Sequence, residues 1–247
     1  DAHKGKGLGN MFLTDIMTAD ALVHVVDISG STDINGNPCP AGAHNPLEDV
    51  EFFRREIEYW ITGIIKKNID QISKRIVVNK EKLSEGLYKQ LSGLGISIED
   101  VETSIEKMGL EANSPDEKFL EFSRILIEKS KPVITAGNKI DVPKAEEIFN
   151  SAKDKIQGII PCSADAELAL RKAAEKGLIS YMPGDGDFEI KNATEQQRNA
   201  LESIRNVLKK YGSTGVQKIV DTAVFSLLGI VCFLLGTWLF TQKEGNR

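Results

Sequence analysis

The sequence predicts an α/β fold, a doubly wound parallel sheet interrupted by an all-helical insertion. Three observations carry that expectation. Apolar runs at residues 21–29 (ALVHVVDIS) and 131–136, rich in β-branched side chains, alternate with helical patterns, and strands separated by helices form parallel sheets. The second run ends abruptly in Asn138, Lys139, Ile140 and Asp141, with Pro143 just behind. Open α/β sheets place their ligand crevice at such carboxyl ends. Between the two runs, residues 46–130 carry the period of helices.

The elements follow in order. Residues 1–10 (DAHKGKGLGN) are rich in glycine and lysine and read as a loop, with a helix from Met11 to about Ala19. Residues 21–29 read as a buried parallel strand, and the Gly-, Pro-, Asn- and Asp-crowded residues 30–45 as a loop. Phe53, Ile57, Trp60, Ile61, Ile64 and Ile65 recur as one helical stripe. Shorter helices are expected over 80–91 and 98–108, the second capped by Ser97 with Asp100. Ser114, Pro115 and Glu117 read as cap, first turn and capping partner of a helix reaching Glu128. After the strand at 131–136, Pro143 opens a helix to about Lys155. Residues 158–161 form a short strand, and Ser163 caps a helix over 164–176 that Gly177 ends. A further helix spans 195–211, and residues 215–228 are amphipathic through Val216, Ile219, Val220, Val224 and Leu227.

Composition narrows the function. The 247 residues are ample for a real core, and 41% hydrophobic with 27% charged residues is ordinary globular usage. A net charge of −5 gives no whole-chain attraction to nucleic acid, which argues against DNA and leaves RNA contact to a local basic patch. Cys39, Cys162 and Cys232 are odd in number and far apart, as in a reducing cytosol rather than a disulfide framework or zinc site. His3, His24 and His44 match no metal spacing, and His24 reads as a packed strand residue. No signal peptide is recognised, and a start at Asp1 without methionine reads as an incomplete or processed product.

The chemistry concentrates in two turns. Guanine presents two neighbouring donors, its ring N1–H and its 2-amino group, and the Asp141 carboxylate can accept both. Adenine places an unprotonated nitrogen there, so Asp141 would reject it. Lys139 can lay its aliphatic stem across a base face, and Asn138 can tie neighbouring loops together. One strand and one helix later, Ser163 and Ala164 open a helix, whose unpaired N–H groups could hold the guanine 6-oxo group. Taken alone, the Asn-Lys-x-Asp string reads as a solvated turn and Ser163 as a plain cap. Their ordered pairing on consecutive strand–helix units is far more specific.

With these strings and the opening DAHKGKGLGN, MFLTDIMTAD and ALVHVVDIS, the sequence resembles the Obg-like translation-factor GTPases, specifically the YchF type in its archaeal, Asn-Lys-x-Asp-bearing form. NPLEDVEFFRREIEYWI in the insertion and the later STGVQKIVDTAVF share the resemblance. It implies a truncated P-loop GTPase. Residues 1–45 would hold a switch II-like loop (Gly5, Lys6, Gly7, Gly9), a helix and a strand. Residues 46–130 would be the insertion, 131–212 the remainder of the GTPase domain, and 213–247 a helix leading into a truncated TGS-like start or an apolar tail. The implied activity is GTP hydrolysis with magnesium, in a cytoplasmic protein linked to ribosomes or RNA. No G-x-x-x-x-G-K-[ST] loop is present, so the phosphate loop and the magnesium ligands are expected outside this chain, and no catalytic residue is assigned. A rival reading is a non-catalytic helical interaction module.

Three look-alikes read as ordinary loops. Asp33 to Asn37 looks calcium-like, but Pro38 stands where an EF-hand needs Gly, and His44 where it needs Glu. Residues 183–187 (PGDGD) read as a turn, and the acceptor pattern Asn192-Ala193-Thr194 carries no weight in a cytosolic protein. The uncharged run 223–240 approaches the length of a minimal membrane span, with Trp238 near one end and Lys243 and Arg247 beyond. A tail anchor is therefore a second rival. Against it, the amphipathic period continues through Leu228, and Gly229 offers a stop before a strand at Ile230.

Overall fold

Helical periodicity dominates the first of two units into which the computed structural model divides, Asp1–Leu22 with Glu51–Val133; the second is Val23–Val50 with Ile134–Arg247. Residues 9–235 and 238–243 are described. The first unit holds α1 (Gly9–Thr18), most of α2 (Pro46–Asn79), α3 (Leu83–Leu91), a 3-10 turn (Ser92–Leu94), α4 (Ile98–Met108) and α5 (Asp116–Ser130). One core joins them, with Leu13 and Met17 from α1, Ile57, Ile61 and Ile65 from α2, and Phe122 from α5. Inside it the Thr62 and Ser123 hydroxyls meet at 2.8 Å, which satisfies two buried polar groups.

The helix caps mostly follow the sequence. Ser97 accepts from the Asp100 N–H as expected. Ser114 does not cap α5: its hydroxyl accepts from the Glu111 N–H, and Pro115 takes the cap position without a side-chain bond. The hydroxyl is used in the preceding turn because that turn has its own orphan donor.

Apart from Leu22 and Val133, the three-stranded sheet belongs to the second unit, in the order β1 (Leu22–Asp27), β2 (Val133–Asn138), β3 (Ile160–Pro161). β2 and β3 run parallel with Ala136 opposite Ile160. Between them sits α6 (Ala145–Ala152), and after them α7 (Ala164–Glu175). The pair β4 (Ile179–Ser180) and β5 (Glu189–Ile190) follows, then α8 (Glu195–Tyr211) and α9 (Val216–Asp221). α6 packs with Ile28 and Ile140, and Ile219 of α9 packs on Ile134, Ala136, Ile160 and Cys162. The expected α/β class is what forms.

The strand at the sheet's end departs from the sequence reading. β1 is not buried throughout: Leu22 and Val26 are buried while Val23 and Val25 are 44% and 60% exposed. Val133 is exposed as well. β1 ends the strand order, and a strand covered on one face alternates. The described part of the tail follows the expected stop and strand rather than the membrane rival. A π-helix (Thr222–Leu227) is capped by Leu228, Gly229 follows with φ +58°, and β6 (Ile230–Leu235) pairs antiparallel with β7 (Trp238–Lys243). Among the described residues no helix is long and apolar enough to cross a membrane.

Candidate functional site

β2 carries its apolar residues to Gly137 and then delivers Asn138 to the carboxyl edge of the sheet. The chain turns there through Lys139, whose φ of +65° is left-handed. A side chain in that region costs about 1 kcal/mol, so something must hold it. The parallel ladder does so from one side, the Cys162 N–H donating to Gly137 and the Ile140 N–H to the Cys162 carbonyl. From the other, the Lys139 amine reaches Asp27 Oδ2 at 2.7 Å, Thr32 at 2.8 Å and Ser31 at 3.3 Å.

Asp27, at the end of β1, is the hub of that contact. Its carboxylate also accepts from the Ser29 N–H and hydroxyl and from the hydroxyls of Ser31 and Thr32. Burial alone would raise its pKa, but the bonds from Lys139, Ser29, Thr32 and Ser31 outweigh it and hold the carboxyl far below the usual range. The glycine after Ser29 is required. Gly30 has φ +59°, and a Cβ there would lie 2.2 Å from the His44 carbonyl oxygen.

The second turn closes on the first. Asn138 Oδ1 accepts from the Ala164 N–H at 3.0 Å and from the Cys162 thiol, so this amide joins the two motifs. Ser163 caps α7 by accepting from the Ala166 N–H. The Cys162 thiol is pushed up to about 11 by burial, with the nearby Asp141 carboxylate adding to the shift. Asp141 itself is exposed, and among the described residues no hydrogen bond or ion pair reaches its carboxylate.

Of the residues singled out from sequence, Asn138, Lys139, Asp141, Ser163 and Ala164 thus come together at one edge. Gly9 is the first residue of α1 rather than part of a loop, and Gly5, Lys6 and Gly7 lie outside the described residues. The Asp33 carboxylate is occupied by the Asn35 and Asn37 N–H groups of its own loop. Among the described residues no cluster of potential metal ligands forms. Asp27 and its hydroxyl partners were missed. Their signal was present as an acid at a strand's carboxyl end followed by Ser29, Ser31 and Thr32.

The Asp27 network makes acid the vulnerable side. Its folded pKa lies below the unfolded one, so the stabilisation is complete above the ordinary carboxylate range near about pH 4 and is lost as pH falls below it. Glu167 shifts in the same direction. Burial opposes its charge, while bonds from Thr214, Tyr181 and Arg171 prevail. The urea midpoint should stay level from neutral pH to about pH 5 and drop below about pH 4. Asp27→Asn should lower the neutral plateau and flatten the acid limb; an unchanged limb would contradict the assignment.

A parallel sheet alternating with helices in this way is the fold of P-loop GTPases. Residues 136–233 match the family model described as Obg-like GTPase YGR210-like, G4 motif-containing domain. An uncharacterized GTP-binding protein of Methanocaldococcus jannaschii is 40% identical over 99% of this chain and 63% of its own length. The ribosome-binding ATPase YchF of Bacillus subtilis is 28% identical over 100% of this chain and 61% of its own. A crystal structure of a GTP-binding protein from Pyrococcus horikoshii superposes with TM-score 0.75 and 35% identity, covering 95% of this chain and 68% of that one. The chain belongs to the Obg-like, YchF-related family of GTP-binding proteins. It spans less than two thirds of the length of the curated relatives it matches.

Proposed function

We propose that Asn138, Lys139, Asp141, Ser163 and Ala164 form the guanine-reading half of a GTP site, within a protein that hydrolyses GTP. One observation carries this reading. The Asn138 amide locks the two turns together and leaves the Asp141 carboxylate exposed beside the start of α7. A carboxylate without partners suits the N1–H and 2-amino donors of guanine, and a helix-start N–H beyond those of Ser163, Ala164 and Ala166, which are already donated within the protein, suits its 6-oxo group. The Lys139 stem, its amine held by Asp27, supplies apolar cover for the base.

The reaction is phosphoryl transfer, in which a protein positions groups and stabilises charge. This chain's part is base recognition. Magnesium fits no cluster among the described residues, so neither metal nor phosphate contacts are assigned here; Gly5, Lys6, Gly7 and Gly9 keep the proposed switch II-like role. The domain division proposed from sequence places the site in residues 131–212. The name of the Bacillus relative, a ribosome-binding protein, supports a cytoplasmic, ribosome-linked role. Competition against labelled GDP, in the whole protein with any segment preceding Asp1 present, tests the base preference. GTP should displace the label about 100-fold better than ATP, as a charged bidentate pair requires. Equal displacement by ATP would remove the guanine reading.

A further inference from the structure

Behind the Ser163–Ala164 turn lies a buried polar cluster that base contact does not explain. Glu167, one turn into α7, is 4% exposed. Its carboxylate accepts from Thr214 Oγ1 at 2.6 Å, Tyr181 OH at 2.7 Å and Arg171 Nε at 2.6 Å. An acid is seldom buried without pairing, and here three donors satisfy it. Thr214, 1% exposed, faces two ways. Its hydroxyl is held by Glu167, and its carbonyl accepts from the Ser163 N–H at 2.9 Å. Gly215 then passes so close that a Cβ would lie 2.1 Å from the Pro161 oxygen. Four residues on, Ile219 packs on β2 and β3.

We propose that Glu167 and Thr214 are positioning residues for the base site: through Thr214, Glu167 fixes the backbone of the Ser163–Ala164 turn, and so ties base recognition to the segment that enters α9. The inference rests on the guanine reading above and names its support. Neither side chain touches the base. They act through the Ser163 N–H, whose acceptor sets the direction of the next N–H groups at the start of α7. A nucleotide bound at that turn and the chain leaving toward the carboxyl terminus therefore share one latch.

The test compares GTP with 6-thio-GTP, which keeps both donors to Asp141 and weakens only the acceptor at the 6 position. In the whole protein, Thr214→Val removes the hydroxyl at nearly constant volume. It should weaken GTP binding about fivefold to tenfold, the worth of one hydrogen bond, and bring the GTP to 6-thio-GTP ratio toward one. Thr214→Ser should restore both. General loosening would lower the two affinities together and leave their ratio alone, and that result, with the variant folded by circular dichroism, overturns the proposal. If Thr214→Val does not fold, Tyr181→Phe removes a donor from the same carboxylate without touching the turn. A reduced ratio there supports the latch, and an unchanged one overturns it. Asp141→Asn run alongside separates the two claims. A base switch there with no effect at Thr214 leaves the guanine reading intact and removes only the latch.

Discussion

Replacing Asp141 by asparagine should transfer base preference from guanine to xanthine in the whole protein. Xanthine keeps the ring N–H but carries a 2-oxo acceptor where guanine has its 2-amino donor. An asparagine amide, one acceptor and one donor, complements that pair. Facing guanine, the amide would set donor against donor and lose a charged bidentate contact. The loss of GTP affinity should be on the order of 2–4 kcal/mol, and XTP affinity should rise. The structure makes the substitution clean. Asp141 is exposed, and among the described residues no hydrogen bond or ion pair reaches it, so folding should be little affected. Were Asp141 only a solvated turn residue, neither affinity would move. Competition binding of GTP, XTP and ATP to both proteins decides between these outcomes.

Gly215→Ala should be the most disruptive small substitution near the site. The residue has φ +81°, a region that costs an alanine about 1 kcal/mol. The larger cost is steric. A Cβ would lie 2.1 Å from the Pro161 oxygen and 2.9 Å from Cys162 Cα, both backbone atoms that cannot swing aside. Relief requires separating Gly215 from β3, which strains the Thr214–Ser163 bond and lifts Ile219 from its cluster. A total destabilisation of about 2–4 kcal/mol is expected, read as a lowered urea midpoint. Gly212→Ala is the control. It has the same sign of φ, +81°, and nothing within 4 Å of the added carbon, so it should cost only the conformational share. Equal losses at the two positions would show that the close approach to Pro161 does not matter.

Much of this arrangement was legible because it is local. The Asn138–Asp141 string sits where a strand stops, and Ser163 sits where a helix starts, so each could be placed from its neighbours alone. The Ser29, Ser31 and Thr32 hydroxyls around Asp27 lie within five residues of it and belong to the same local class, although their purpose was not read. Ser114 shows the limit even at short range. Two orphan donors competed for one hydroxyl, and the turn before α5 took it. In the tail, an uncharged run of near-membrane length stood against the amphipathic period and the stop at Gly229, which favoured a strand. The left-handed residue at Gly229 and the pairing of β6 with β7 decided it.

The sequence by itself determined the alternation of strands and helices and the residue types at each strand end, Asp141 among them. Those follow from periodicity, caps and side-chain donors, which act over a few residues. Only the tertiary structure decided that Lys139 meets Asp27, that Asn138 holds Ala164, and that Thr214 stands between Glu167 and Ser163. Each of those pairs depends on which strands lie side by side and in what register, and hydrogen bonds between distant residues exist only once that order is set.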